Sequence, residues 1–261
     1  MTFLETWLIY PIPRFVERNW HPAGLDHEEV WFNAADGIKL FGWFASQPNS
    51  KRAVLYCHGN GEDVASNADT LSALRSELNA NVFLFDYRGY GRSEGRPNEA
   101  GCIADGLAAE RWLADRLVLK TADVVVMGRS LGGAIAVAVA AEQGAQALVL
   151  DSTFSRMTDA AAYHYPWLPV RILMQNRYDS VARIGQYHGP VFQSHGTADT
   201  IVPIELARQL FAAIPSDQKT FREFPHRDHN DPLPSKYLPE VRAFLDRMVP
   251  QPGSAQATSS Q

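Results

Sequence analysis

Residues Asp123 to Glu142 read DVVVMGRSLGGAIAVAVAAE, and the fold turns on what happens in the middle of that run. Val124 to Met127 form a continuous apolar, β-branched stretch, which suits a strand covered on both faces. From Ala134 to Ala141 the small apolar residues suit a helix packed closely on a sheet. Between them Gly128-Arg129-Ser130-Leu131-Gly132 breaks the run at a polar residue. Strand, G-x-S-x-G and helix together make a nucleophile elbow, in which the serine stands on a sharp turn above the carboxyl edge of the sheet. The two glycines are expected where strand and helix approach too closely for a Cβ. Ser130 would also sit at a helix N-terminus, where free N–H groups favour developing negative charge. The pentapeptide alone is a weak pattern; its place between a strand and a helix carries the reading.

Outward from this point the chain alternates. EVWFNA and IKLFGWF flank Asp36-Gly37, a turn pair that tolerates positive φ, so Glu28 to Ala45 is expected to be a hairpin. Further short strands are predicted at Ala53–Gly59, Asn81–Tyr87, Asp123–Gly128, Ala147–Ser152, Pro190–Gly196 and Lys219–Phe224. Helical faces lie between them, carried by Leu71, Leu74 and Leu78, by Leu107, Trp112 and Leu113, and by Leu206, Leu210 and Phe211. A last helix carries Leu238, Val241, Leu245 and Met248. This rhythm predicts an α/β fold: a mostly parallel sheet of about eight strands, led by an antiparallel hairpin, with helices on both faces.

One interval is irregular. Residues 153–188 are aromatic-rich and contain Pro166 and Pro169, which prevent one straight helix. This insertion is read either as a substrate lid or as a peripheral helical excursion. Three stretches of chain follow: an apolar segment at 1–27, one α/β domain at 28–249, and a small, polar tail at 250–261 that is expected to be disordered.

Composition excludes several classes. Across 261 residues, Lys+Arg 24 against Asp+Glu 29 leaves a net charge of −5 with no basic cluster, so nucleic acid is not an expected partner. The chain has no H-E-x-x-H or C-x-x-C, and neither a metal nor a cofactor is expected. The two cysteines, Cys57 and Cys102, read as buried thiols of a reducing, cytoplasmic compartment rather than as a disulfide framework. The opening MTFLETWLIYPIPRF is too short to span a bilayer and is interrupted by Pro11 and Pro13. It also lacks a secretory cleavage pattern. Phe3, Trp7 and Leu8 have helical spacing. The segment is therefore expected to dock on its own domain or on a second subunit, the other reading being peripheral contact with a membrane.

A serine hydroxyl needs a base to take its proton and an acid to orient that base. Asp199, in FQSHGTADTIVP, follows one predicted strand, and KTFREFPHRDHND offers His226 or His229 after the last. Any one of these alone would pass for a loop residue; all three, in order and each beyond its own strand, point to a catalytic triad. A tetrahedral oxyanion needs donors as well. VLYCHGNGED supplies a Gly-rich turn on the same sheet edge, and the backbone N–H of Asn60 is expected to join that of Leu131. His58 reads as structural, and Glu62 and Asp63 as charges at a helix N-terminus. The stretch DYRGYGRSEG, Asp86 to Gly95, lacks the Lys-Ser/Thr of a phosphate loop and is read as a brace beneath the site.

Five motifs, HGNGE, DYRGYGRSEGRP, GRSLGG, DSTF and HGTADTIVP, resemble those of α/β-hydrolase-fold serine hydrolases, over nearly everything from Glu28 to Val249. The nearest resemblance is to the compact α/β-hydrolase-domain proteins of the bud-emergence type and to palmitoyl-protein thioesterase-like enzymes. That resemblance implies Ser130 as nucleophile, Asp199 as acid, Asn60 in the oxyanion turn and His229, in the segment HND, as base. Glycines usual before that histidine are replaced by Arg227 and Asp228, which keeps His226 in view. Asp151 is an alternative acid, because some members of the superfamily place it after the sixth strand.

The resemblance implies two-step acyl transfer without metal or cofactor. The expected substrate is a small-molecule carboxylic ester of short to medium acyl chain, with an apolar pocket formed by Tyr163, Tyr165, Trp167, Leu173 and Met174. The competing readings are a long-chain acyl thioesterase or lysophospholipase, and a catalytically silent scaffold on the same fold.

Overall fold

The computed structural model describes Glu5, Ile9, Tyr10 and residues 18–249. Phe3, Trp7 and Leu8, and the tail 250–261 expected to be disordered, lie outside the described residues. Strands β1 (Glu28–Asn33) and β2 (Lys39–Ala45) pair as an antiparallel hairpin. Gly37 at its turn has φ 84°, and the Ala34 N–H donates to the Ile38 carbonyl. Six more strands follow: β3 (Ala53–Cys57), β4 (Asn81–Phe85), β5 (Val125–Arg129), β6 (Ala147–Asp151), β7 (Val191–Gly196) and β8 (Lys219–Phe224). The sheet runs β1-β2-β4-β3-β5-β6-β7-β8. β2 joins β4 antiparallel, and from β4 to β8 every pairing is parallel.

Side-chain alternation along these strands builds two apolar layers. Leu55 and Cys57, Phe83 and Phe85, Val126, and Leu148 and Leu150 face helices α2 (Glu99–Leu117) and α3 (Leu131–Gln143). Val54 and Tyr56, Val82 and Leu84, Val125 and Met127, and Ala147 and Val149 face α1 (Ala68–Glu77) and the C-terminal helix α8 (Tyr237–Met248). Helix α3 is apolar around its whole circumference, as a helix buried on all sides must be. Cys57 and Cys102 are buried and free.

The interval 153–188 breaks into α4 (Met157–His164), α5 (Val170–Leu173) and α6 (Ser180–Ile184), with Pro166 and Pro169 between the first two. Its last part packs into the body, since Tyr178, Ile184 and Tyr187 belong to the core. α7 (Ile204–Ala213) follows β7. The stretch Asp86 to Gly95 braces the fold through its charges. The Asp86 carboxylate accepts the Val64 and Arg92 N–H groups, and the Arg88 guanidinium pairs with Asp105 and Asp36 at 2.7 Å each. Among the described residues no helix is long and apolar enough to cross a membrane.

Candidate active site

Ser130 joins β5 to α3 at φ 52° and ψ −119°, a backbone conformation that costs a non-glycine residue about 1–3 kcal/mol. Its surroundings hold it there: the Ser130 N–H donates to the Asp151 carbonyl at 3.0 Å, and its own carbonyl accepts the Thr153 hydroxyl at 2.8 Å. The flanking glycines are steric necessities. A Cβ on Gly128 would run into the Gly132 carbonyl, and one on Gly132 into the Cys57 carbonyl.

The loop beyond β8 delivers His229, not His226, to the serine. His229 Nε2 lies 3.1 Å from Ser130 Oγ, and Nδ1 lies 2.8 Å from Asp199 Oδ2. His226 is exposed, with φ 62°, and its backbone N–H is held by Thr197 Oγ1. The two residues that replace the usual glycines explain how the loop is set. Arg227 is buried and forms a two-pronged pair with Asp151 at 2.8 and 2.9 Å. Asp228 accepts both the His229 and Thr200 N–H groups. Asp151, the alternative acid, is thereby engaged by Arg227 and by Ser194 Oγ, while the His229 ring faces Asp199.

Asp199 sits in the loop after β7, where its Oδ1 accepts the N–H groups of Ile201 at 3.0 Å and Val202 at 2.7 Å. Its Oδ2 also lies 3.2 Å from His195 Nε2. Burial alone would raise this carboxyl. Hydrogen bonds from His195, His229 and the Val202 N–H outweigh that effect and hold it far below the usual carboxylate range.

Across the sheet edge, Asn60 lies in the turn after β3. Its side chain accepts from the Tyr90 hydroxyl at 2.6 Å and donates to the Ile9 carbonyl, so both ends are spent on holding the turn. Leu131 opens α3, where the first N–H groups of a helix have no intrahelical acceptor. Both residues line the same cavity as Ser130 and His229. His58 lies beneath, fully buried, with Nδ1 2.8 Å from the Gly59 carbonyl and its own carbonyl accepting the Tyr87 hydroxyl.

The cavity over Ser130 measures about 590 Å³ and is walled mainly by apolar side chains. Of the pocket residues expected from sequence, Tyr165, Leu173 and Met174 line it; Tyr163 and Trp167 do not. Met157, Ala160, Ala161 and His164 share the inward face of α4, which turns Tyr163 away to 58% exposure. Trp167 stands in the turn between α4 and α5 and is 74% exposed. The i, i+3, i+4, i+7 spacing of Met157, Ala160, Ala161 and His164 is the sequence signal of that inward face, and the neighbouring aromatic residues fall outside it. Phe154, just past β6, and Glu5 and Ile9 from the N-terminal segment complete the wall. That segment docks on its own domain where it is described. Glu5 Oε1 accepts the N–H groups of Gln175 and Asn176, and the Tyr10 hydroxyl meets Asn176 and Tyr178. Among the described residues no cluster of His, Cys, Asp and Glu could hold a metal ion.

Residues 52–183 match the family described as alpha/beta hydrolase fold. An uncharacterized protein of Mycobacterium tuberculosis, Rv2307c, is 41% identical over 227 residues, covering 86% of this chain and 78% of its own length. Protein bem46 of Schizosaccharomyces pombe is 31% identical, covering 85% of this chain and 77% of its own. Among solved structures, the Pyrococcus furiosus esterase Pf2001 superposes with a TM-score of 0.75 at 22% identity, over 91% of this chain and 98% of that one. With its sheet order, its elbow and these relatives together, the chain belongs to the α/β-hydrolase-fold family.

Proposed function

We propose that this protein is a serine hydrolase that cleaves carboxylic esters through an acyl-enzyme. The observation that carries the reading is the unbroken relay from Ser130 Oγ through the His229 ring to Asp199, opening into an apolar cavity. In the first half-reaction His229 Nε2 takes the Ser130 proton as Oγ attacks the acyl carbonyl. Asp199, held ionised by its N–H donors, stabilises the imidazolium through Nδ1. The Asn60 and Leu131 N–H groups receive the oxyanion. His229 then protonates the leaving alcohol, and water repeats the sequence on the acyl-enzyme. No step asks for a metal or a cofactor.

A short to medium acyl chain is proposed for the pocket between Leu131, Phe154 and Met174. The cavity's volume and its apolar wall of lid residues favour a second reading, a longer acyl chain on an ester or thioester. In both readings the segment that carries α4 and α5 serves as the lid. Hydrolysis of p-nitrophenyl esters from acetyl to palmitoyl, with Ser130→Ala in parallel, tests the proposal. Turnover should peak at one chain length and fall by about 10⁴-fold or more in the variant, with the melting temperature retained. Ester hydrolysis that survives in Ser130→Ala, or a wild-type Ser130 that resists a fluorophosphonate probe, would sink it. The second outcome would favour a silent scaffold.

A further inference from the structure

Glu62, expected to be a charge at a helix N-terminus, stands just before the 3-10 turn Ala65–Asn67 that leads into α1, and its carboxylate pairs elsewhere. Its Oε1 pairs with Arg129 Nη1, while Oε2 accepts the Gly59 N–H at 3.0 Å and Asn67 Nδ2 at 3.1 Å. Arg129 is the last residue of β5, directly before Ser130. Its Nη2 donates to the His229 carbonyl at 2.6 Å and to Asn230 Oδ1 at 3.2 Å. Resting on the serine-hydrolase reading, we propose that the Arg129–Glu62 pair is a positioning device that fixes the oxyanion turn and the base loop relative to Ser130.

Topology makes such a device useful. The nucleophile leaves β5 and the oxyanion turn leaves β3, which are neighbours, but the base arrives from beyond β8, at the far edge of the sheet. Among the described residues the ring of His229 is tied only to Ser130 and Asp199, and its bond to Ser130 changes on every turnover as the proton moves. Arg129 grips the backbone carbonyl of His229, an anchor that proton transfer leaves untouched. Through Glu62 the same guanidinium holds Gly59, one residue before the oxyanion donor Asn60. One ion pair at the cavity rim thus joins three loops that carry three different roles. Partly exposed ion pairs contribute little to global stability, so its worth would lie in geometry. Groups that act in the transition state are sensitive to displacements of about 1 Å.

The experiment is a double-mutant cycle of Glu62→Gln, Arg129→Met and the pair, with Arg129→Lys as the conservative variant. Turnover of a p-nitrophenyl ester and backbone amide exchange are both measured, and wild-type Ser130 is titrated with a fluorophosphonate. Each single variant should lose about 10- to 100-fold in kcat with KM nearly unchanged, because the misplaced groups act in the transition state. The double variant should be no worse than the poorer single, since both remove one linkage. Arg129→Lys should fall between wild type and Arg129→Met, because an ammonium keeps the charge but lacks the guanidinium fork. Arg129→Met should also speed exchange over residues 59–61, because Glu62, which Arg129 holds, accepts the Gly59 N–H at the start of that turn. Additive losses, an unchanged kcat, a loss confined to KM, or unaltered exchange at 59–61 would each overturn the proposal. If wild-type Ser130 neither turns over esters nor labels, the hydrolase reading fails, and the exchange result alone then decides whether the pair couples the loops.

Discussion

Along the carboxyl edge of the sheet, Asp199 and Arg129 each engage two or more partners, Arg227 grips Asp151 with both prongs and reaches Ser152 Oγ, and His229 is held at both ring nitrogens. In the cover above it, six large apolar side chains between Tyr163 and Leu173 stand exposed. The two regions answer different demands. Proton transfer and oxyanion stabilisation need reacting atoms held to about 0.5 Å, and directional, redundant hydrogen bonds supply that. Acyl recognition needs apolar surface and volume, and apolar contact is non-directional. Chemistry is therefore expected to be brittle at the edge and specificity adjustable in the cover.

The sharpest way to break that contrast is at the base. His229→Ala should reduce ester turnover by about 10⁴-fold or more, while His226→Ala, three residues away and exposed, should leave it within about twofold. Comparable losses at the two positions, measured by steady-state hydrolysis, would mean that the loop geometry does not select the base.

The two aspartates should separate activity from stability. Asp199→Asn should lower kcat by about 10³- to 10⁴-fold, because an amide can neither stabilise the imidazolium nor enforce its tautomer. Asp151→Asn leaves the buried Arg227 without its ionic partner, and denaturant titration should show a loss of about 3–5 kcal/mol. A stable Asp151→Asn protein would show that Arg227 is not an obligatory anchor of the base loop.

The cover should respond differently. Ala161→Trp fills the inward face of α4 and should shorten the preferred acyl chain, costing about tenfold or more on the longest esters while sparing acetyl. Trp167→Ser, outside the cavity, should leave the chain-length profile unchanged. A shifted profile in Trp167→Ser would return that residue to the pocket.

How far the sequence could be read follows the same division. Most of the strands were legible because they are short apolar runs punctuated by Gly, Asp or Pro, and the elbow because Gly128 and Gly132 mark a close approach that no Cβ survives. The candidates Ser130, Asp199 and His229 stood out because each lies in the segment after a strand, and their chain order maps onto one sheet edge. The choice between His226 and His229 rested on resemblance, since what separates them is a long-range pair between Arg227 and Asp151. Tyr163 and Trp167 were misplaced because an aromatic residue signals apolar surface without saying which way it faces. The pairing of Glu62 with Arg129 left no sign in the local pattern, because the partner lies 67 positions away. Local pattern carries strands and turns, whereas contacts made only by folding leave no local trace.

Among the described residues several buried side chains leave a polar atom without a partner, and Glu110, with both carboxylate oxygens unpaired, gives the finest test of the contrast. Glu110, on α2, is fully buried, and neither carboxylate oxygen has a hydrogen-bond partner among the described residues. Burial pushes its carboxyl up from an ordinary value of 4.5 to about 9. Between those two values the folded state keeps a proton that the unfolded chain releases, so stability must fall as pH rises across that window. Below it both states are protonated, and the contribution is fully present. Asp86, raised by burial to about 7, adds a slope of the same sign that ends sooner. Glu110→Gln keeps the shape and removes the titration. Its melting temperature should match wild type near pH 4 and rise a few degrees above it by pH 8, with ester turnover unaffected. Parallel melting curves at every pH would mean that Glu110 finds a partner on folding. The contrast between an over-bonded edge and an unpartnered core carboxyl would then be lost.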